Sequence, residues 1–280
     1  MTGRILIIPT PIGNLEDASP RMVSSMRQCD LLLCEDTRHT GRLLQLLGVE
    51  ARLESFHEHN ESAKVESVLA RVEEGLTVGI VSDAGMPLLS DPGFPLVRAA
   101  RERNIPITPI AGPSAILTAL AASGIPPVPF TFFGFPPHKQ GERTELYRRI
   151  AEARTTAVVF ESPHRILESL EDALGMLGDV RMTLARELTK MHEQLVHGTI
   201  TEVLASLGDR ESIRGEITLV FAAAEPDTKP VPSAELVRQE LATLREKGMR
   251  RNDAVKALAE KHGLSRNELY RLLVDSGPDA

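Results

Sequence analysis

Tryptophan is absent from this chain, and tyrosine and cysteine each occur only twice in 280 residues. Two thiols, Cys29 and Cys34, are too few for a disulfide framework, and there is no second pair to complete a four-thiolate zinc site. No apolar run approaches the ~20 residues of a membrane-spanning helix, and no secretory leader is evident. These absences exclude a stapled extracellular domain and a helical membrane protein, and predict a soluble protein of the reducing cytoplasm. Cys34 ends an apolar run and is expected to pack as a small apolar residue. A histidine metal site lacks its spacing too: four residues after His57 the helical-face partner would be Glu61, and no metal is expected.

An excess of positive charge is also lacking, since the net charge is −7. Spread evenly, that balance would oppose a nucleic-acid partner, because RNA binding uses Lys and Arg to displace counterions. The charge is not even. From Arg238 to Arg271 nine Lys or Arg stand against five acids, so this stretch is net +4 and the remainder −11. A smaller basic cluster comprises Lys139, Arg143, Arg148 and Arg149.

What the chain does contain is a set of abrupt strand ends. The apolar run Leu76–Val81 breaks into SDAGMPLLSDPG, Ser82–Gly93, a loop with two aspartates, two glycines and two prolines. Alone, this could be a tight surface turn or a ligand loop. Arg4–Thr10 breaks in the same way into Pro11–Asn14, and Ile105–Ile110 into Ala111–Ala115, where Ser114 is the expected N-cap of a helix presenting free amides. Three such breaks within about the first 115 residues fit one shared crevice beyond the carboxyl ends of a parallel sheet.

The pattern along the chain agrees. Strand-like runs at 4–10, 31–34, 77–82 and 105–110 alternate with helical stretches near 20–28, 40–47, 62–74, 94–103 and 114–122, which predicts an α/β domain over 1–124. The proline-rich segment Ile125–Pro137 leads into a second α/β domain, 125–224. Its expected strands are 130–134, 156–161, 180–186, 193–198 and 217–223, and its expected helices lie near 140–153 and 164–177. A polar linker, 225–232, precedes a helical module, 233–280. There Ala234–Lys247, Asn252–His262 and Ser265–Val274 are expected as helices, with Asn252 and Ser265 as caps. The last two, joined by HGLS, resemble a helix-turn-helix, with an ordinary three-helix module as the alternative, and the basic balance of the stretch favours RNA contact.

Six longer motifs occur in order: PTPIGNLED (Pro9–Asp17), CEDTRHT (Cys34–Thr40), SFHEHNE (Ser55–Glu61), SDAGMPLLSDPG, FESPHRI (Phe160–Ile166) and ARELTKMHE (Ala185–Glu193). Together they resemble the ribosomal RNA small subunit methyltransferase branch of the tetrapyrrole methylase superfamily, from Arg4 to about Ala224. The resemblance implies two α/β domains with a cofactor crevice between them, followed by a small C-terminal helical, helix-turn-helix-like module. It implies S-adenosylmethionine as cofactor and methylation of a cytidine ribose 2′-oxygen in the decoding region of 16S ribosomal RNA. Free RNA or the small ribosomal subunit would be the partner, and the protein a homodimer in the cytoplasm. Cofactor contacts are implied at Pro11, Ile12, Asp83, Ala84, Gly85, Met86, Leu89, Ser114, Ala115, Leu188, Gly215 and Glu216, with Glu161 or Ser162 beside them. Met86 departs from the family pattern, which has a small or hydroxylated residue there.

Methyl transfer from a sulfonium needs acceptor oxygen, methyl carbon and sulfur nearly in line, and a ribose hydroxyl must lose its proton. Charged residues that follow strand-like runs are the candidates to meet at one mouth. Lys190, Glu35, Asp36 and Glu161 are expected as catalytic groups, and Arg38, His164, Arg165 and Arg186 as substrate contacts, each with a structural ion pair as its alternative. Two other classes remain open at this point: a methylase acting on a tetrapyrrole, and a non-enzymatic RNA-binding assembly factor on a methylase scaffold.

Overall fold

A computed structural model describes residues 3–208, 213–224, 233–262 and 269. The chain divides into two compact units, Met1–Ala224 and Glu225–Ala280.

The first unit opens with strict alternation of strand and helix: β1 (Arg4–Ile8), α1 (Pro20–Arg27), β2 (Leu31–Cys34), α2 (Thr37–Leu47), β3 (Leu53–Ser55), α3 (Glu61–Glu73), β4 (Thr77–Val81), α4 (Phe94–Glu102), β5 (Ile107–Pro109) and α5 (Ala115–Ala122). All strand pairs in this sheet are parallel, in the order β3-β2-β4-β1-β5. Every residue of β2 is buried, as expected of a strand covered on both faces. Met22, Met26 and Leu44 from α1 and α2 pack on one face; Val68, Leu69 and Leu96 from α3 and α4 pack on the other. Cys34 lies in the first of these layers, buried, and that burial raises its thiol pKa.

Differences from the sequence expectation have local causes. β1 stops at Ile8 because Pro9 and Pro11 offer no amide to a ladder; Thr10 instead makes an isolated bridge to Gly85. α2 begins at Thr37, three residues earlier than expected, since the Asp36 side chain accepts from the amides of Arg38 and His39 at 2.8 and 3.4 Å. β3 was not expected: its three residues carry no alternation that a periodicity argument can use. Asn60 occupies the cap position of α3 without capping it. Its Oδ1 accepts from the His57 amide instead, at 2.9 Å.

The second half of this unit contains β6 (Phe130–Phe132), α6 (Gln140–Ala153), β7 (Thr156–Glu161), α7 (Ile166–Leu177), β8 (Arg181–Arg186), β9 (Gln194–Thr199), α8 (Ile200–Ser206) and β10 (Ile217–Phe221). The strand order is β6-β7-β10-β8-β9, with only β6 and β7 parallel. The unexpected α8 starts directly at the end of β9, where Thr199 and Glu202 form a reciprocal capping box. One face of this sheet carries α6, α7 and α8 over a core around Tyr147, Leu170 and Phe221. The other face carries α5: Ile116, Ala119 and Leu120 pack with Val158, Ala185 and Val220. Only one side of this apolar helix is covered, since Leu117 on it stays 57% exposed. Each buried aliphatic side chain there contributes about 1.5–3 kcal/mol. The hydrogen bond from Thr183 Oγ1 to the Ser123 carbonyl, 2.9 Å, contributes about 1 kcal/mol, so packing dominates the join between the halves.

In the second unit, α9 (Ala234–Glu246) and α10 (Arg251–His262) enclose Val237, Val255, Leu258 and Ala259. Asn252 is not a cap, because α10 already begins at Arg251. Glu240 accepts from Lys261 and His262 at 2.6 and 2.7 Å. The expected linker 225–232 and, apart from Leu269, the expected helix Ser265–Val274 lie outside the described residues. No helix among the described residues is long and apolar enough to cross a membrane.

Candidate active site

The neighbouring strands β1 and β4 send their connections in opposite directions along the first sheet, β1 towards β2 and β4 towards β5. Such a reversal opens a crevice beyond the strand ends. The loop Ser82–Gly93 is fastened there by its start. Thr10 and Gly85 exchange backbone hydrogen bonds of 2.9 and 3.1 Å, and Ser82 Oγ donates to the Gly85 carbonyl at 2.8 Å. Gly85 has φ +81°, and Leu88 and Ser90 also have positive φ, at 74° and 69°. Side chains seldom tolerate that conformation, and such positions collect at ligand loops.

A cavity of about 370 Å³ lies at this loop. Of the expected cofactor contacts, Ile12, Asp83, Ala84, Gly85, Met86, Leu89, Ser114, Ala115, Gly215 and Glu216 line it. Glu161, expected as catalytic, lines it as well. Ser114 caps α5, its Oγ accepting from the Leu117 amide at 3.4 Å. Also at the wall are Asp91, Phe135 and Phe160, which the sequence reading did not select. Asp91 could have been found, since it lies in the same loop as Asp83. The phenylalanines could not, because only the β6–β7 pairing brings Phe135 against Phe160, ring centroids 5.3 Å apart. Burial, with the charges of Glu35 and Asp83 adding to it, pushes the Asp91 carboxyl up to about 7.

A second opening, about 550 Å³, shares Ile12, Asp83, Ala84 and Glu216 with the first and adds Pro11, Leu15, His39, Arg42, Leu43, Leu46 and Lys190. Lys190 bonds to Glu187 at 2.8 Å and to Glu216 at 3.3 Å. Partial desolvation opposes its charge, but those two carboxylates outweigh it and hold the ammonium above the ordinary lysine value. Glu187, at φ +53°, also accepts from the Glu216 amide at 2.9 Å. A Cβ on Gly215 would stand 2.5 Å from the Glu187 carboxyl, so only glycine leaves room for this arrangement.

Glu35, Asp36 and Arg38 are not brought into the first cavity. They line a third, open groove with His57, His59 and Asp83. Asp83 is thus common to all three openings, and the Asp36 amide donates to it at 3.5 Å. Asp36 caps α2 and pairs with Arg38 at 3.3 Å; these bonds lower its pKa.

The remaining expected residues lie elsewhere. Leu188 is packed in the apolar layer against α5 and lines none of these openings. Arg165 is paired with the buried Glu161 at 2.8 Å and donates to the Pro136 carbonyl at 3.0 Å. His164 is exposed, and Arg186 ends β8 with its Nε buried. Three buried atoms in this region, Glu161 Oε2, Arg165 Nε and Arg186 Nε, have no hydrogen-bond partner among the described residues.

Residues 4–204 match the family model described as tetrapyrrole (corrin/porphyrin) methylases. A ribosomal RNA small subunit methyltransferase I from Synechocystis sp. is 41% identical over 278 residues, covering 99% of each chain. The protein of that name from Escherichia coli O157:H7 is 41% identical over 98% of this chain and 95% of its own. Among solved structures, a diphthine synthase matches with a TM-score of 0.62 at 11% identity, over 79% of this chain and 90% of its own. A uroporphyrin-III-C-methyltransferase from Thermus thermophilus matches with a TM-score of 0.54 at 20% identity, over 79% and 95%. The two solved structures share the fold, and the near-complete relatives narrow it: this chain belongs to the tetrapyrrole methylase family and, within it, to the ribosomal RNA small subunit methyltransferase I proteins.

Proposed function

We propose that this protein transfers a methyl group from S-adenosylmethionine to the ribose 2′-hydroxyl of a cytidine in the decoding region of 16S ribosomal RNA. The observation that carries the reading is the pair of adjoining openings: a cavity at the glycine loop, sharing Asp83, Ala84, Ile12 and Glu216 with a second one to which Arg42, His39 and Lys190 contribute. A cofactor and a separate anionic acceptor need such neighbouring seats. That the relatives are named for ribosomal RNA of the small subunit favours RNA over a tetrapyrrole as acceptor.

The first cavity suits S-adenosylmethionine chemically. Asp83 and Asp91 offer negative charge to a cationic ligand, Ile12, Met86 and Ile116 offer apolar wall, and Glu161 Oε2 is a buried acceptor in want of a donor. When bound, the cofactor supplies an electrophilic methyl group on a sulfonium. The chain's own residues hold and orient the reactants, and positioning of this kind lowers a barrier by roughly 7–11 kcal/mol. Lys190, kept protonated by Glu187 and Glu216, serves as a cation for the charge developing on the acceptor oxygen. Asp83 and Glu216 are the carboxylates at the shared rim and the candidates to draw off the hydroxyl proton, a role worth about 10²- to 10⁴-fold. Arg38 and His164, both exposed, are placed in this reading as RNA contacts, whereas Arg165 holds Glu161 in position.

The reading includes cytoplasmic location and a homodimer. In support of the latter, β6 is an edge strand of the second sheet among the described residues, with Phe130 in it and Val128 before it exposed, the kind of edge a second copy covers. Light scattering of the purified protein tests it. The function is tested by mass mapping of ribose methylation in small-subunit RNA from cells with and without the protein. One cytidine should lose its methyl group in the deletion strain and regain it on complementation; an unchanged map overturns the reading.

A further inference from the structure

Helix α2 carries a stripe that its fold does not use. Thr40 and Leu44 are its buried residues, yet His39, Arg42, Leu43 and Leu46, spaced i, i+3, i+4 and i+7, share another face and line the second opening. Leu46 is 62% exposed. Leucines on a helical stripe normally face a core, and these two lean on an opening instead. Arg42 is exposed and has no ion pair or side-chain hydrogen bond among the described residues, in contrast to Lys190 of the same opening. The helix N-terminus is not the attraction, for the Asp36 carboxylate already satisfies its first amides.

We propose that this stripe is the seat of the target nucleotide, with Arg42 and His39 on a phosphate and Leu43 and Leu46 against the face of an unstacked base. The inference rests on the RNA methyltransferase reading above and specifies how the RNA strand is held. Both halves of a nucleotide are matched along one helix: His39 and Arg42 each stand one turn before a leucine, Leu43 and Leu46, so polar groups adjoin aliphatic surface. A base placed against Leu43 and Leu46 leaves its ribose towards the rim made by Asp83 and Glu216, where the opening joins the cofactor cavity. An enzyme acting on one ribose within a folded RNA must unstack that nucleotide, and the displaced base needs an apolar rest. A duplex would not fit the proposal, since its bases are stacked and unavailable.

The test uses full-length protein and small ribosomal subunits purified from cells lacking it. Both Arg42→Ala and Leu46→Ser alter exposed side chains, so folding should survive; Arg101→Ala, an exposed arginine on α4, is the charge-matched control. Arg42→Ala should raise KM for subunits about tenfold with kcat within about twofold. It should also flatten the dependence of log affinity on log salt by about 0.7. Leu46→Ser should raise KM several-fold without changing that slope. Cofactor affinity by calorimetry should be the same in all variants. Wild-type KM and salt slope in Arg42→Ala, or an equal effect in Arg101→Ala, overturns the seat on α2 while leaving the methyltransferase intact. Wild-type protein that binds cofactor but never methylates subunits overturns the broader reading instead.

Discussion

Lys190 and Asp91 show how neighbours set the working charge of a residue. Lys190 sits between two carboxylates, Glu187 and Glu216, which stabilise its ammonium against partial burial. It therefore remains a cation at neutral pH and cannot act as a base. Lys190→Ala is expected to lower kcat by about 10²–10³-fold while cofactor affinity is kept, as for other groups that stabilise developing charge. Normal turnover by this variant would make the lysine a purely structural partner of Glu187. Asp91 behaves in the opposite sense, raised to about 7 by burial and by Glu35 and Asp83. Between the ordinary carboxylate value near ~4 and about 7, the folded protein holds a proton that the unfolded chain releases. Stability from this group thus falls as pH rises through that window, and Asp91→Asn should remove the fall. A cationic ligand favours the ionised form, so cofactor affinity should rise from pH 6 to 8, with proton release visible as a buffer-dependent calorimetric enthalpy. A flat affinity over that range would separate Asp91 from the cofactor.

The decisive element is the loop Ser82–Gly93, a backbone structure as much as a set of side chains. Its bridge to Thr10, the positive φ of Gly85 and the left-handed Leu88 and Ser90 define the cavity wall. Valine cannot adopt φ +81° without strain, and a Cβ at Gly85 would stand 3.3 Å from Ile12. Gly85→Val should then abolish the rise in melting temperature that S-adenosylmethionine gives the wild type, a rise equivalent to about 2.7 kcal/mol at a hundred times Kd. Asp83→Ala should do the same through lost charge and without backbone strain. Unchanged cofactor affinity in both folded variants would mean that the crevice is not the cofactor site.

Across the whole molecule, the three openings lie within Met1–Ala224, while Glu225–Ala280 forms its own compact unit around Val237 and Val255. Within this second unit the stretch Arg238–Arg271 carries nine Lys or Arg against five acids. Lys261 is already paired with Glu240 at 2.6 Å, so not all of that charge is available to phosphate. Removing the residues from Glu225 onwards should preserve cofactor binding and weaken RNA affinity. The salt slope should drop by about 0.7–0.9 for each phosphate that is no longer neutralised. An unchanged slope would assign RNA binding to the first unit alone.

Local chemistry determined much of this. Abrupt strand ends, caps and alternation are properties of a few consecutive residues, so the parallel first sheet, the loops after β1, β4 and β5, and Ser114 as the cap of α5 are all legible in the sequence. The long motifs carried the family. What tertiary structure decided is which strand ends meet. CEDTRHT and SDAGMPLLSDPG follow adjacent strands, β2 and β4, yet Glu35 and Asp36 face a separate groove and only Asp83 belongs to both. Likewise Glu161 and Arg186 flank Ile217 across the second sheet, a neighbourhood set by inserting β10, from far along the chain, between β7 and β8. Arg42 and Leu46 carried no signal in the sequence, because an exposed leucine beside an arginine reads as an ordinary amphipathic helix until the face it presents is known. Side-chain spacing determines which residues share a face; only packing determines whether that face meets a core or an opening.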